Sequence, residues 1–323
     1  MALQILDHPW HQAHSYRLHA LPAEFWYCWF GGGRTWDEAQ RPIPPNFRGF
    51  VQDSGWTYYD LILCHLDNWC DHRYPLRGLP YRLMNLMATE KYPDAPRVAI
   101  MHGTPDDEEN RQQIRRLLAD TAGGSPFVVT NSPQAYREWG LGPEHSRAIL
   151  HGYDVDEFWS EKTRRLEVIA VCSGGGMSRD YHGIPTLERI RREVPVTWIG
   201  ARGDIERLPN YDEYRAYLAT ALVFLHTGRR SPMPGARTEA MLSGCCVVST
   251  DNHGAGDFIE HGYSGFLTDD AEEMICILKG LLERPEVAYR IGQRGREVAR
   301  QRFNKERFVA DWLDLWANLG VAV

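Results

Sequence analysis

The segment from residue 226 to residue 250 reads HTGRRSPMPGARTEAMLSGCCVVST and is the most informative stretch of the chain. It begins at the end of an apolar run, ALVFLHT (221–227), and continues through a loop rich in glycine and proline. A helix is predicted from about 236 to 243, and the apolar run CCVVST (245–250) follows it. Strand, loop, helix and strand in this order form the repeating unit of a parallel sheet covered by helices.

The same alternation extends over the rest of the chain. Apolar runs predict further strands at 3–6, 24–30, 60–66, 97–101, 126–131, 147–152, 166–173 and 195–200. Helical patterns lie at about 107–120, 132–139, 185–193, 211–219, 270–282 and 285–302. Continuous apolar strands between helices are typical of parallel sheets that are buried on both faces. The predicted fold class is therefore α/β.

A charged segment, DVDEFWSEKTRR (154–165), separates two such series of strands and helices. We predict a first domain at 1–153 and a second at 154–305, each Rossmann-like with a doubly wound parallel sheet. An amphipathic helix within 306–323 is predicted to return to the first domain. Ligands of doubly wound sheets bind outside the carboxyl ends of the strands, so the expected site is a cleft between the two domains.

Composition excludes several classes of protein. The chain has 323 residues, 43% of them hydrophobic, and a net charge of -7, which argues against a broad nucleic-acid-binding surface. No apolar segment of about 18 residues is present, so no transmembrane segment is expected, and the first 20 residues lack the apolar core of a signal peptide. The seven cysteines are odd in number and contain no CxxC pair, which favours reduced thiols in a cytoplasmic protein.

The loop and helix after residue 227 have the chemistry of an anion site. The amides near Pro234, Gly235 and Ala236 would open the helix, where unpaired N–H groups and the helix dipole attract phosphate. Gly235 permits close approach of a ligand to the backbone. Glu239 lies one turn further on, where a carboxylate can accept two ribose hydroxyls. The alternative interpretation is that Glu239 is an ordinary acid favoured by the helix dipole.

The neighbours of Glu239 resemble the donor site of glycosyltransferase family 4. The run EAMLSGCCVV (239–248), followed by DFIEHG (257–262) and GFL (265–267), is similar to that family's second glutamate and the pattern after it. The elements VVTNSPQAYREWG (128–140) and ILHGYDVDEFW (149–159) resemble further family motifs, and HGYD within the latter would be a structural hinge.

The resemblance implies a GT-B fold and a retaining, metal-independent glycosyltransferase that uses a nucleoside-diphosphate sugar. UDP- or GDP-sugars are the expected donors, and no cofactor is expected. The acceptor is not specified and would be a glycan, a lipid-linked molecule or a small molecule.

Two departures from the family pattern affect the predicted site. Ser231 stands where the family has a first glutamate that contacts the transferred sugar, so the donor sugar is left open. In the loop CSGGGMSRDYHG (172–183), the positions of the family's arginine and lysine hold Gly176 and His182. We predict that Arg179 replaces one of these cations beside Gly175 and Gly176, although a solvated loop arginine is the alternative.

Several further residues complete the prediction. Arg202 is a weaker candidate for contact with the donor nucleotide. In the first domain, His102 follows a buried strand and is predicted to orient the sugar or the acceptor together with Ser231 as the reacting-centre residues. The segment HPWHQAHSYRL (8–18), interpreted as a loop, places His11, His14 and Ser15 near the sugar or acceptor. A metal site formed by these histidines is not expected, because no acidic or cysteine partner has suitable spacing.

The segment GGGR (31–34) lies between aromatic residues and is a candidate part of an acceptor wall, with a simple turn as the alternative. Two other functions remain open at this point. The missing acid and lysine are compatible with a subunit that binds a nucleotide sugar without transferring it. A nucleotide-sugar epimerase of the same fold is the second alternative.

Overall fold

The computed structural model describes residues 2–8, 10–28, 36–51, 58–74, 76–121, 124–172, 179–231, 233–252 and 254–322. The chain divides into two compact units. Unit 1 consists of residues 1–152 and 305–323, and unit 2 consists of residues 153–304.

Each unit contains one sheet, and the strand pairings of both sheets are parallel in the described part of the chain. The strands of unit 1 are β1 (Leu3–Asp7), β2 (Ala23–Cys28), β3 (Phe47–Val51), β4 (Leu61–Leu66), β5 (Arg97–Met101), β6 (Phe127–Thr130) and β7 (Ser146–Ala148). Those of unit 2 are β8 (Arg165–Val171), β9 (Val196–Ile199), β10 (Ala221–His226), β11 (Cys246–Ser249) and β12 (Phe266–Leu267). The spatial orders are β3-β2-β1-β4-β5-β6-β7 and β12-β11-β10-β8-β9.

Helices connect most of these strands. In chain order they are α1 (Gln12–Leu18), α2 (Leu79–Lys91), α3 (Glu108–Ala119), α4 (Pro133–Trp139), α5 (Ile184–Arg191), α6 (Tyr211–Thr220), α7 (Gly235–Leu242), α8 (Ala271–Glu283), α9 (Pro285–Arg302) and α10 (Lys305–Asn318). The first four and α10 belong to unit 1, and α5 to α9 belong to unit 2. Among the described residues, no helix is long and apolar enough to cross a membrane.

Strand β4 shows why the sheet of unit 1 is buried on both faces. All six of its residues, LILCHL, are buried. Ile62 and Cys64 point into one apolar cluster, which includes Trp139 of α4. Leu61 and Leu63 point into the opposite cluster, which includes Trp312 of α10. Since successive side chains of a strand point to opposite faces, this run of apolar residues requires helices on both sides.

Helix α10 contributes a complete apolar stripe to unit 1. Phe308, Trp312, Leu315 and Trp316 are buried, and their spacing places them on one face of the helix. They pack against Ile5 and other residues of the central strands. Full burial of one large apolar side chain contributes roughly 1.5–3 kcal/mol, so the unit depends strongly on this helix.

The predicted α/β class, with two parallel-sheet domains, is confirmed, but some local predictions were wrong. The segment 8–18, predicted as a loop, contains α1. Helix α2 and strand β3 were not predicted, and β7, three residues long, covers only the first two residues of the strand predicted at 147–152. The last two residues of the strand predicted at 24–30 and the GGGR segment lie outside the described residues.

Candidate functional site

Glu239 is the fifth residue of α7, the helix that begins after the loop that follows β10. Its side chain is buried, and its Oε2 atom accepts a hydrogen bond of 2.6 Å from the hydroxyl of Tyr214 on α6. The carboxylate is therefore held in place by a neighbouring helix.

The start of α7 leaves backbone amides available. The N-cap residue is Pro234, which has no N–H, and no side-chain cap is present. The amides of Arg237 and Thr238 donate to the carbonyl of Pro234 at 3.1 and 3.4 Å. The amides of Gly235 and Ala236 precede these, and the first amides of a helix have no intrahelical acceptor. Two N–H groups at the positive end of the helix dipole are thus placed to meet an anion.

Arg237 is a component of this site that the sequence patterns did not reveal. Its side chain is buried, and Nη1 donates to Oδ1 of Asn252 at 2.7 Å. No carboxylate pairs with it in the described part of unit 2. Burial lowers the pKa of Arg237 to about 10, so the guanidinium is still charged at neutral pH. A buried cation with one neutral partner is costly, which is typical of a site that receives an anionic ligand.

Asn252 connects Arg237 to the loop after β10. Its Nδ2 atom donates to the carbonyl of Gly228 at 2.5 Å and, at 3.5 Å, to that of Ser231. Asn252 follows β11, and Gly228 follows β10, so both lie at the carboxyl edge of the sheet of unit 2. That edge is where ligands bind in doubly wound sheets. Ser231, Glu239 and the start of α7 are therefore joined into one region of unit 2.

His226, the last residue of β10, also lies at this edge. Its Nε2 atom is buried and has no hydrogen-bond partner among the described residues. Burial lowers its pKa to about 3, and the charge of Arg237 acts in the same direction. The ring is neutral and lies against Gly228, where a Cβ atom would come within 2.7 Å of Nε2.

The other predicted donor-binding residues have different surroundings. Gly175 and Gly176 lie outside the described residues. Arg179 is engaged by both carboxylate oxygens of Glu188, at 2.8 and 2.9 Å, and both side chains are exposed. Arg202 is exposed in the turn after β9. Arg237 is therefore a buried cation in the first turn of α7, whereas Arg179 is an exposed cation that is paired with Glu188.

Unit 1 contains a chain of hydrogen bonds that begins at Asp7, the last residue of β1. Oδ1 of Asp7 accepts from the amide of His8 and from Nε2 of His65, both at 2.7 Å. Nδ1 of His65 is 2.7 Å from Nε2 of His102. The parallel register of β1, β4 and β5 brings the three side chains together at one edge of the sheet. The predicted residue His102 is thus the end of a buried relay.

A second chain of hydrogen bonds ends at His14 on α1. Nη1 of Arg17 is 3.3 Å from Nδ1 of His151, and Nε2 of His151 is 3.3 Å from Nδ1 of His14. The rings of His14 and His102 are perpendicular, with centroids 4.7 Å apart. His151, interpreted from the sequence as part of a structural hinge, is therefore a member of this cluster.

The imidazoles of His14, His102 and His151 are held in the neutral form. Burial lowers the pKa of His14, His102 and His151 well below the usual value, and neighbouring positive groups act in the same direction. One ring nitrogen from each of His14, His65 and His102 lies within 4.8 Å of the others. Three histidines at this spacing are a possible ligand set for a metal ion. The sequence did not predict this set, because His65 lies within the apolar strand β4, far along the chain from His14 and His102.

The remaining predicted residues of unit 1 lie around this cluster or within α1. His11 is the N-cap of α1, and its ring is perpendicular to that of His102, with centroids 5.4 Å apart. The ring of Trp10 is stacked on that of His102, with centroids 6.4 Å apart and an angle of 7° between the planes. Ser15 is fully buried in α1. The structure therefore brings His11, His14 and His102 together in unit 1.

Comparison with known proteins supports a family for the second unit. Residues 155–284 match the family described as glycosyl transferases group 1. A lipopolysaccharide core biosynthesis glycosyltransferase, LpsE, of Rhizobium meliloti is 27% identical over 133 residues, which are 41% of this chain and 39% of that protein. Trehalose synthase of Pyrococcus horikoshii is 27% identical over 174 residues, 52% of this chain and 41% of the relative. The chain thus spans about two fifths of each of these two relatives.

Solved structures are similar over almost the whole chain. HepE of Anabaena, in complex with UDP and glucose, has a TM-score of 0.69 and 17% identity, covering 98% of this chain and 100% of that one. Sucrose-phosphate synthase of Thermosynechococcus elongatus has a TM-score of 0.67 and 16% identity, covering 100% of both chains. These likenesses show the GT-B fold. The family match of residues 155–284 supports the class of glycosyltransferases for unit 2.

Proposed function

We propose that this chain is a glycosyltransferase that moves a sugar from a nucleoside-diphosphate sugar to an acceptor, and that unit 2 binds the donor nucleotide. The observation that carries the proposal is the group formed by Arg237, Glu239 and the start of α7. A buried, unpaired guanidinium and two helix-start amides suit a diphosphate, and a buried carboxylate one turn further suits ribose hydroxyls. The family match of residues 155–284 supports the same assignment.

We further propose membership of glycosyltransferase family 4 and a UDP- or GDP-sugar as the donor. The motif around Glu239 supports the family, and HepE, of the same fold, binds UDP and glucose. Ser231 would offer the sugar a hydroxyl rather than a carboxylate. It lies in the loop that Asn252 ties to Arg237, so it is close to the proposed diphosphate position.

The proposed chemistry is transfer with retention at the anomeric carbon. Charge that develops on the leaving diphosphate would be stabilised by Arg237 and by the amides of Gly235 and Ala236, so the reaction would need no metal ion. Because these groups are fixed by helix α7 and by Asn252, they would require little rearrangement as the bond breaks. We propose that the departing diphosphate assists attack by the acceptor from the same face.

Calorimetry with UDP and GDP tests the donor site directly. Glu239→Ala should lower the affinity for the preferred nucleotide at least tenfold, since two hydrogen bonds to a charged group contribute about 1.5–3 kcal/mol each. Glu213→Ala, on the exposed side of α6, is a matched control that should leave affinity unchanged. Unaltered nucleotide binding by the Glu239 variant would refute the proposed site. Release of sugar from UDP-glucose by the purified chain would distinguish a transferase from a subunit that only binds the nucleotide.

A further inference from the structure

Helix α2 of unit 1 has apolar side chains on two opposite faces. The face that packs into unit 1 consists of the buried residues Tyr81, Met84, Asn85 and Ala88. Leu79, Leu83 and Leu86 form the other face, since Leu83 and Leu86 are each two positions, or about 200° of helix rotation, from a buried residue. Leu79 and Leu86 are 42% and 47% exposed, and Leu83 is half-buried. A helix on the outside of a domain ordinarily has polar residues on this face.

The turn before α2 extends this apolar face. Leu76 is 79% exposed, the highest value for a large hydrophobic side chain among the described residues, and Tyr74 is also exposed. The amide of Arg77 donates to the carbonyl of Tyr74, and the amide of Leu79 donates to that of Leu76, so the turn is tied to the start of the helix. Exposed apolar side chains that gather in this way mark an interaction site. We use the name α2 surface for Tyr74, Leu76, Leu79, Leu83 and Leu86.

The segment that forms the α2 surface carries positive charge. Residues 72–89 contain Arg73, Arg77 and Arg82 and no aspartate or glutamate, although the net charge of the whole chain is -7. Arg82 is exposed on the flank of α2 and forms no ion pair with a described residue. Arg73 and Arg77 are paired with aspartates outside this segment, yet more than a third of each arginine side chain is exposed. The α2 surface is therefore apolar with a basic border.

We propose that unit 1 docks on the surface of a lipid bilayer that contains anionic phospholipids, and that the α2 surface forms the contact. The leucines enter the boundary between the headgroups and the acyl chains, where the strength of binding increases with the apolar area that is buried. Arg82, on the flank of the helix, meets the phosphates of the headgroups. Anionic bilayers attract basic segments that lie close to them, so the two contributions act together.

The charge of the α2 surface favours a bilayer over a second copy of this chain. In a dimer with two-fold symmetry, the same patch occurs on both sides of the interface. The arginines of the two copies would then be brought together, and like charges at an interface are unfavourable. An anionic bilayer has the opposite charge at its surface and an apolar interior, so it matches both features of the α2 surface.

The α2 surface adjoins the carboxyl edge of the sheet of unit 1. The ring of Tyr74 is next to that of Trp69, with centroids 6.4 Å apart. The guanidinium of Arg77 lies over the ring of Trp69 at 5.4 Å and over that of Trp10 at 4.8 Å. Trp10 is stacked on His102, which directly follows β5. Docking therefore holds this edge of the sheet near the headgroups. The α2 surface belongs to unit 1 alone, so the inference does not depend on the proposed function.

Co-sedimentation of the whole chain with vesicles tests the proposal. The chain should bind vesicles of phosphatidylcholine and phosphatidylglycerol, and should bind vesicles of phosphatidylcholine alone about fivefold more weakly or worse, because the arginines are attracted to anionic lipid. An increase in salt from about 0.1 M to about 0.5 M should also weaken binding, since it shortens the Debye length. Equal binding to both kinds of vesicle, or binding to neither, overturns the proposal.

Two leucine substitutions test the apolar part of the contact. Leu79→Ser/Leu86→Ser should reduce the affinity for the anionic vesicles about tenfold or more, because two apolar side chains no longer enter the bilayer. Both leucines are exposed, so the melting temperature should change little. Ile43→Ser/Leu166→Ser is the matched control, at positions that are 46% and 61% exposed outside the α2 surface. Unchanged binding by the leucine variant, or an equal loss in the control, overturns the proposal.

A charge substitution tests the basic border. Arg82→Gln should lower the affinity for the anionic vesicles about fivefold, the contribution of one arginine close to anionic lipid. Arg290→Gln is the matched control, because Arg290 is an exposed arginine on α9 of unit 2. An equal loss in these two variants would show that the attraction is not localised at α2, which contradicts the proposal.

Light scattering after size-exclusion chromatography distinguishes the bilayer from a second copy of the chain. The oligomeric state of Leu79→Ser/Leu86→Ser should equal that of the wild type. A wild-type dimer that these substitutions convert to a monomer would assign the α2 surface to a second copy and overturn the proposal. Calorimetry with UDP separates this inference from the proposed function. Vesicle binding without UDP binding refutes only the proposed function, and UDP binding without vesicle binding refutes only the docking.

Discussion

The hydroxyl of Tyr214 donates to Oε2 of Glu239 at 2.6 Å, which links α6 to the start of the proposed nucleotide site. A buried carboxylate that accepts a short hydrogen bond from a phenol is fixed before any ligand arrives. Preorganisation of this kind reduces the entropy that binding would otherwise cost. Tyr214 is therefore part of the site, although the sequence pattern around Glu239 does not include it.

Substitution of Tyr214 by Phe should weaken both stability and nucleotide binding. Loss of a hydrogen bond to a buried carboxylate costs about 1.5–3 kcal/mol, measured as the free energy of unfolding in urea. Tyr217→Phe is a matched control, because Tyr217 on the same helix donates to Oε1 of Glu167 at 2.9 Å. We expect similar destabilisation in both variants but a lower UDP affinity only for Tyr214→Phe. Equal UDP affinity in the two variants would contradict the role of Tyr214.

Substitution of Arg237 by Met should lower the affinity for UDP without lowering the thermal stability of the protein. Replacing an unpaired buried charge by an apolar side chain is neutral or stabilising, so the melting temperature should not fall. The affinity for UDP should drop by roughly 10- to 100-fold, because a charge-assisted hydrogen bond contributes about 1.5–3 kcal/mol. The affinity for uridine, which has no phosphate, should be unchanged.

The same titrations on Arg179→Gln provide the comparison. Arg179 is exposed and paired with Glu188, so its removal should change UDP affinity by no more than about fivefold. A larger effect from Arg179 than from Arg237 would reverse the assignment of the phosphate-binding cation.

Gly183 is expected to tolerate no side chain. Its φ is +63°, and a Cβ atom would lie 1.7 Å from the carbonyl oxygen of Thr227, directly before the loop of Gly228. Gly262 has a φ of +77° with nothing within 4 Å of a Cβ atom, so it is a control for backbone strain alone. Ala at Gly262 should cost about 1–2 kcal/mol of unfolding free energy. Ala at Gly183 should cost more and also lower UDP affinity, and equal costs would contradict the close approach.

Stability should fall as the pH is lowered from 6.5. Burial lowers the pKa of His14, His102 and His151 well below 6.5, and that of His19 to about 4. Below pH 6.5 the unfolded chain therefore binds more protons than the folded chain, so acid favours unfolding. Each such histidine contributes up to about 1.4 kcal/mol per pH unit within this window.

Urea unfolding at pH 7.5, 6.5, 5.5 and 5.0 measures this dependence. His19→Asn should reduce the slope between pH 6.5 and pH 5. His72→Asn, at an exposed position, should leave it unchanged. A stability that is constant down to pH 5 would show that the buried histidines are not held neutral.

Much of the fold follows from local patterns in the sequence. Helix α9 and strand β5 have the predicted bounds, because a long amphipathic stretch after a proline and a short apolar run are unambiguous. Helix α1 was not predicted because five of its seven residues, QAHSYRL, have polar or ionisable side chains that also suit a loop. Strand β3 contains a glycine and five residues in all, which is too little signal to distinguish it from a turn.

The candidate site was predictable only where its residues are close together in sequence. Glu239 and Gly235 are four positions apart in a recognisable motif. In contrast, Asp7, His65 and His102 meet through strand register, across 58 and 37 positions, and no single stretch contains the pattern. Arg237 was overlooked because an arginine in a helix is ordinarily exposed, and only its burial reveals its role.

The order of the chain has a consequence for synthesis. The two ends of unit 2 are hydrogen-bonded to each other. The amide of Tyr153 donates to the carbonyl of Phe303 at 2.8 Å, and Tyr153 forms an isolated β-bridge with Asn304. Unit 1 begins first but needs Trp312 and Trp316 of α10 for its core. A ribosome delivers those residues after all of unit 2, and domains generally fold as units during translation. Unit 2, which is proposed to bind the nucleotide, is therefore expected to fold first. Unit 1 can complete its core only after α10 has been synthesised.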